Sequence, residues 1–531
     1  MKKVYRSLVA GLLAAGVSMG SQAAKNLVYC SEGSPEGFDP ALYTAGTTFD
    51  ASGRAVYNRL VEFDRGTTDV IPGLAESWDI SEDGLEYTFH LRKGVKFHKT
   101  RFFSPTRELT ADDVIFSFER QLQKDHPWHQ YTAGGSWEYF QSMSMPDLIS
   151  EIVRVDDYTV KFVLKTPQAP MLANLAMDFA SIVSKEYADQ LERQNKKEIL
   201  NQMPVGTGPF KFVIYQKDAV IRYQAHEGYW AGKQPLDNLI FAITTDASVR
   251  LQKLKAGECH VASYPNPADL DIIRKDGKLN LMEQEGLNVG YMAYNTQMAP
   301  FDKPEVRLAL NMAINKQAIL DAVFQGAGSA AKNPIPPTMW SYSQETQPDE
   351  YNPEKAKAML EAAGVKDLSM NIWAMPVQRP YNPNARRMAE IIQSDFAKIG
   401  VKVNIVSYEW GEYLSRSKEV DRDGALLMGW TGDNGDPDNF LAVLLGCDGV
   451  GGSNRAQWCN EEFDQLIQKA KTLSDKSERA ELYKQAQAVF KREAPWATIA
   501  HSVVFMPMST RVQNYRMDPL GSHRFDGVDI Q

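Results

Sequence analysis

Beyond its first two dozen residues, the chain has no apolar run approaching the length a membrane helix needs. It has no basic tract either. Its 58 lysines and arginines stand against 67 acids, a formal net charge of −9. Such a chain is a poor fit for nucleic acid or an anionic membrane surface. No internal repeat and no low-complexity linker interrupts the 531 residues. That length predicts about two to four packed units, and the missing linkers predict lobes crossed by ordered segments. Metal and nucleotide signatures are missing as well. His126-Pro127-Trp128-His129 has a helix breaker inside it and no acid or cysteine partner, so no metal site is predicted there. Gly206-Thr207-Gly208 is followed by the strand Phe210–Ile214 and not by Lys-Ser/Thr and a helix, which excludes a phosphate loop and predicts a tight inter-domain crossing. There is no Ser/His/Asp or Cys/His set for nucleophilic catalysis.

The one long apolar stretch is at the start. Lys2, Lys3 and Arg6 precede an apolar, small-residue run from Leu8 to Met19 and then Ser21-Gln22-Ala23. This pattern predicts a secretory signal over 1–23, cleaved after Ala23 or Ala24. A lipid-anchored form would need cysteine at the cleavage site, and the first is Cys30, so no lipoprotein is expected. Cleavage removes three cations and no acids, taking the net charge from −9 to −12. Cysteine is scarce, at four residues. In an exported chain these are expected as disulfides and not as metal ligands. Cys447 and Cys459 flank Gly451-Gly452 and make a natural local pair, which leaves Cys30 with Cys259 and puts both in one domain.

Regular elements are legible along the chain. Asn26–Cys30 reads as a strand. Leu85, Tyr87, Phe89 and Leu91 alternate with polar residues over Leu85–Arg92, a half-buried strand, with Gly94–His98 expected to continue the sheet. Thr110 and Asp113 make a capping box before Val114, Phe118 and Leu122 at helical spacing. Tyr158–Phe162 is a further alternating strand. From about residue 287 the pattern becomes β-α-β: a strand at Gly290–Asn295, helices opened by Pro304 and Asn352-Pro353, a strand at Leu368–Ile372, a helix from about Ala385 to Ile399, and a strand at Val401–Ile405. This predicts an α/β lobe with parallel strands. Its loop Pro376–Pro383 carries Arg379 after a strand end, where open α/β sheets place ligands.

The apolar run Ala425–Met428 ends in Trp430-Thr431-Gly432-Asp433-Asn434-Gly435-Asp436-Pro437-Asp438. An indole and a carboxylate three residues apart at a strand end can wall and pair an ammonium group. A turn with solvated acids is the plainer reading of that stretch alone. Thr44-Ala45-Gly46 is small enough to let a ligand or a backbone approach, or it is a helix cap.

The segments Ala75-Glu76-Ser77-Trp78, Ser81-x-Asp83-Gly84-x-x-Tyr87-Thr88-Phe89-x-Leu91-Arg92-x-Gly94-Val95-Lys96-Phe97-His98 and Thr110-Ala111-Asp112-Asp113-Val114, with Gly206–Phe210 and Tyr351–Ala356, resemble the peptide- and nickel-binding extracytoplasmic receptors of ABC importers. Tyr29–Phe38, Trp373–Arg387, Met428–Phe440 and the cysteine positions resemble the dipeptide-binding members of that family. The resemblance implies an α/β, bilobal periplasmic-binding-protein fold. Lobe I is expected over 24–59, 205–285 and 504–531, with an inserted subdomain over 60–204, and lobe II over 286–503. It implies that Asp433 pairs with a peptide's α-ammonium and Arg379 with its α-carboxylate. Trp430, Thr431 and Gly432 would line the pocket, and Thr44, Ala45 and Gly46 would touch ligand from lobe I. The expected protein is a periplasmic monomer that delivers dipeptides to membrane permease subunits, with no cofactor, no metal and no catalysis. Other ligands of the same class, namely haem, oligopeptides, nickel complexes or amino-ketones, stand as alternatives. So does an exported hydrolase using Asp433, Asp436 and Asp438, or a general chaperone.

Overall fold

The computed structural model describes residues 24–132 and 136–531; the signal expected over 1–23 lies outside the described residues. One large mixed sheet runs through the molecule. Its strand order is Lys402–Val406, Ser369–Trp373, Ala425–Thr431, Asn288–Tyr294, Trp496–Ser509, Val261–Ala262, Asn26–Ser31, Asn238–Ile243, Val220–Ala225 and Phe210–Gln216. The 14-residue strand Trp496–Ser509 joins the two halves. Its first half pairs with Asn288–Tyr294, and Met508, near its end, pairs with Val261. The boundary expected at 503/504 therefore falls inside a continuous strand.

The parallel β-α-β pattern expected after residue 287 is present. Ser369–Trp373 lies parallel to Lys402–Val406, and Ile372 and Trp373 lie parallel to Ala425 and Leu426. The helix Ala385–Lys398 connects the first two of these strands. Asn352 caps the helix Pro353–Ala362, and Gly364, at φ 77°, lets the chain turn away beyond it.

A separate four-stranded antiparallel sheet comes from Ala75–Ile80, Glu86–Leu91, Thr159–Leu164 and Ile149–Asp156. The helix Ala111–Leu122 follows the expected capping box: Thr110 N–H donates to Asp113 Oδ2 at 2.9 Å. The strand expected at Gly94–His98 is not one. Gly94 turns at φ 78° and Leu91 ends the ladder. Val95 and Phe97 are buried as side chains of a loop, and His98 N–H donates to Gly206 O at 2.9 Å. The apolar alternation there reports burial and not pairing.

Gly206 and Gly208 mark the expected close crossing. A Cβ at Gly206 would lie 2.2 Å from Val56 O, and one at Gly208 would lie 2.6 Å from the same carbonyl. Cys30 is bonded to Cys259, tying strand Asn26–Ser31 to the turn before Val261–Ala262, and Cys447 is bonded to Cys459. The 60–204 stretch meets the 286–503 stretch directly. Ala169 N–H donates to Lys471 O at 2.7 Å, Asn434 donates to Asn174 Oδ1 at 3.0 Å, and buried Glu138 pairs with Lys418 and accepts from Ser453 Oγ.

Candidate functional site

The strand Ala425–Thr431 is buried along its first five residues, so an apolar run covers both faces until the chain leaves the sheet. At its end Gly432 N–H donates to Leu287 O, 2.8 Å away. Asn439 Oδ1 accepts from both Asp433 N–H (2.8 Å) and Trp430 Nε1 (3.1 Å). One side chain on the following helix therefore fixes the indole and the backbone of the acid together. Gly432 itself is buried behind the rim, where a Cβ would lie 2.8 Å from Phe440 and 2.9 Å from Leu287.

Arg379 is held by a four-residue turn in which Arg379 N–H donates to Asn382 O and Asn382 N–H to Arg379 O. The guanidinium lies over the Trp410 ring, 5.2 Å from its centroid. The neighbouring Tyr381 lies across two glycines that pair with each other in the sheet, Gly290 and Gly429. A Cβ at Gly429 would sit 2.1 Å from the Tyr381 ring, and one at Gly290 would sit 2.2 Å from Tyr381 O. Gly429→Ala is expected to cost about 1–3 kcal/mol of unfolding free energy by overpacking, because Tyr381 cannot withdraw without moving the Arg379 turn. Chemical denaturation reads this, and wild-type stability in the variant would mean that the turn is not seated there.

Arg379, Trp430, Thr431 and Asp433 border one cavity with Thr44, Ala45 and Gly46. The space among its lining atoms is about 880 Å³, part of it open to solvent. Of the eight residues expected at the site, seven line this cavity and Gly432 backs it. Thr44-Ala45-Gly46 lines the cavity, and Ala45 is also the N-cap of the short helix Gly46–Ala51, as the helix-cap reading of that stretch expects. Sequence reasoning missed Tyr139, whose ring stands edge-on to Trp430 at 6.1 Å, and the buried Arg54–Asp178 ion pair at 2.9 Å. It also missed Trp410. These come from distant segments and carry no local signal.

The two charges differ in their surroundings. Burial pushes the Asp433 carboxyl up to about 7, and Asp178 adds to this, while Tyr139, Asn439 and Arg54 oppose it. Its Oδ2 is buried with no hydrogen bond of good geometry, near the Tyr139 hydroxyl, the state of an acid suited to an incoming cation. Arg379 is the reverse case. Burial disfavours its charge, but Tyr381, Glu32 and Tyr264 outweigh this and hold it firmly protonated. Asp436 and Asp438 do not join Asp433. Asp436 Oδ1 accepts from Arg479 Nη2 at 2.8 Å, and Asp438 faces Lys471 at 3.8 Å. His126 and His129 are engaged with the Trp128 N–H and the Arg120 carbonyl. Among the described residues no group of three metal-ligating side chains occurs, and no helix is long and apolar enough to cross a membrane.

Comparison with known proteins adds to this geometry. The family model of bacterial extracellular solute-binding proteins, family 5 Middle, matches residues 69–452. A dipeptide-binding protein of Escherichia coli strain K12 is 58% identical over 533 aligned positions, covering 100% of this chain and 98% of that one. A heme-binding protein A of Haemophilus influenzae is 52% identical, covering 96% and 93%. The crystal structure of a dipeptide binding protein from Pseudoalteromonas sp. SM9913, in complex with Met-Leu, superposes with a TM-score of 0.92 at 41% identity, over 96% of this chain and 100% of that chain.

Proposed function

Because the chain belongs to the bacterial extracellular solute-binding proteins of family 5, we propose that it is the receptor that captures dipeptides between two lobes and delivers them to the permease of an ABC importer. The observation that carries this reading is the single cavity bordered by buried Arg379 and by Asp433. A dipeptide is a zwitterion with its charges at a fixed span. Asp433 takes the α-ammonium and Arg379, whose planar fork suits a carboxylate, takes the other end. Trp430, Thr431, Thr44, Ala45 and Gly46 wall the space between. Water in the remaining volume lets side chains vary without a dedicated partner for each.

In this assignment 24–59, 205–285 and 504–531 form lobe I with 60–204 inserted, and 286–503 forms lobe II. The mature chain is periplasmic and monomeric, exported by the 1–23 segment and not lipid-anchored. It has no catalytic role. Asp436 and Asp438 are turned to Arg479 and Lys471 and do not join Asp433; the ligand is expected to leave intact, and recovery of unaltered dipeptide after prolonged incubation checks this.

Native mass spectrometry of the protein as purified, followed by calorimetry with a dipeptide, its N-acetyl form and its amide, tests the reading. A mass gain of two residues is expected, with affinity weakened at least about tenfold by blocking either terminus. Equal binding of blocked and free dipeptides would leave the receptor family standing and remove the dipeptide assignment. A haem ligand is the second reading, favoured by the likeness to the Haemophilus protein. Haemin titration followed by absorbance separates the two.

A further inference from the structure

The guanidinium of Arg379 is shared between the cavity and an acid from the opposite side of the cleft. Glu32 follows strand Asn26–Ser31, 347 residues earlier, and its Oε1 accepts from Arg379 Nη1 at 3.2 Å. The two side chains are 8% and 10% exposed. Glu32 is itself anchored, since Oε2 accepts from Ser263 Oγ at 2.9 Å and from the Tyr29 hydroxyl at 3.5 Å. Ser263 and Tyr29 lie next to the strand ends that the Cys30–Cys259 bond ties together. The acid is therefore not a mobile side chain that happens to reach an arginine.

Its position relative to the open spaces is informative. The cavity described above is bordered by Arg379 and not by Glu32. A second cleft of about 1240 Å³ is bordered by Glu32, Arg250, Gln378 and Arg386 and not by Arg379. The Glu32–Arg379 pair thus stands as the partition between them. Arg379 holds the Glu32 carboxyl below its ordinary range against the effect of burial, with His523 and Arg250 assisting.

We propose that Glu32 sets the length of peptide the site accepts, by occupying the outer side of Arg379 so that a ligand's carboxylate must end on the inner side. The proposal rests on Arg379 being the carboxylate partner. A third residue lengthens an extended peptide by about 3.5 Å, which carries its terminal carboxylate past Arg379 and onto Glu32. Two carboxylates sharing one buried site repel, and one must be expelled or protonated. With Glu32 shortened, the partition opens toward the second cleft, where Arg386 offers a longer peptide's carboxylate positive charge.

The test is calorimetry of Ala-Ala and Ala-Ala-Ala on the wild-type protein, Glu32→Ala and Glu32→Gln, each checked by thermal melting. The expected result is that the ratio of tripeptide to dipeptide Kd falls at least about tenfold in Glu32→Ala, with a smaller fall in Glu32→Gln, which removes the charge and keeps the bulk. An unchanged ratio in both variants overturns the proposal. So does loss of both ligands from both folded variants, since Glu32 would then only position Arg379. If the wild-type protein binds neither peptide, the dipeptide reading itself has failed, and the proposal with it.

Discussion

Asp433→Ala is expected to cost about 2–5 kcal/mol of dipeptide binding, tens- to thousands-fold in Kd. The size follows from desolvation. The carboxyl is held by burial, and one of its oxygens has no hydrogen bond of good geometry. An ammonium brought to it gains a charge-assisted bond in a place where water competes poorly. Removing the acid leaves that ammonium facing Tyr139 and Trp430 with no counter-charge. Calorimetry on Asp433→Ala and Asp433→Asn reads the loss. Affinity within threefold of wild type in both variants would sink the assignment.

The same carboxyl is expected to make binding depend on pH. With its pKa pushed up to about 7, the carboxyl carries a proton at lower pH that an incoming ammonium must displace. Affinity is expected to fall about tenfold per unit as pH drops below that point. It falls again above about pH 8, where the peptide's own ammonium deprotonates, so the optimum lies between. Stability runs the opposite way. The folded pKa lies above the ordinary value of about 3.9, so between the two the folded chain binds more protons than the unfolded one. The ligand-free protein is therefore stabilised at the acid end of this window and loses that contribution as pH rises through about 7. Asp433→Asn is expected to remove the acid limb of the affinity profile and the Asp433 share of the stability profile, and to raise the neutral-pH melting temperature of the ligand-free protein, while dipeptide binding is weakened. A wild-type pH profile in that variant would assign the titration to another group.

Much of this arrangement was legible before any coordinates, for stated physical reasons. Period-two alternation at Tyr87, Phe89 and Leu91 marks a one-sided strand, and Thr110 with Asp113 marks a helix start, because both signals are local. The same alternation misled at Gly94–His98, where burial comes from loop side chains and the positive φ of Gly94 takes the chain out of the ladder. Asp433 and Arg379 were legible only through their motifs. The residues that set their properties were not. Asn439 is six residues from Asp433 but reads as an ordinary helix residue, Gly290 and Gly429 read as weak strand positions, and Glu32 is 347 residues from the arginine it pairs with. Contacts of that kind follow from the sheet register and the packing of distant segments, which no local pattern encodes.

The register also decides what loss of Arg379 should do. Arg379→Met removes the partner of Glu32 and, on the proposed reading, the partner of the ligand's carboxylate. Binding is expected to weaken by about 2–5 kcal/mol, and the ligand carboxylate would meet an uncompensated Glu32. Breaking a buried pair by removing one member is itself destabilising by about 3–5 kcal/mol. The pH dependence identifies the cause. In the wild-type protein Glu32 is held below its ordinary range, so its contribution is present above the unfolded pKa and is lost as pH falls through the folded one. Without Arg379, burial drives the Glu32 carboxyl upward, and the variant recovers on acidification as that carboxyl takes up a proton. The gap in melting temperature between wild type and Arg379→Met is thus expected to narrow from pH 7 to pH 4. Adding Glu32→Gln to Arg379→Met should restore much of the neutral-pH stability, because no buried charge is left unpaired, but not the dipeptide affinity, because no cation faces the ligand. Arg379→Lys should fall between, keeping the charge and losing the fork. Recovery of affinity together with stability in the double variant would show that Arg379 acts through the fold and not through the ligand.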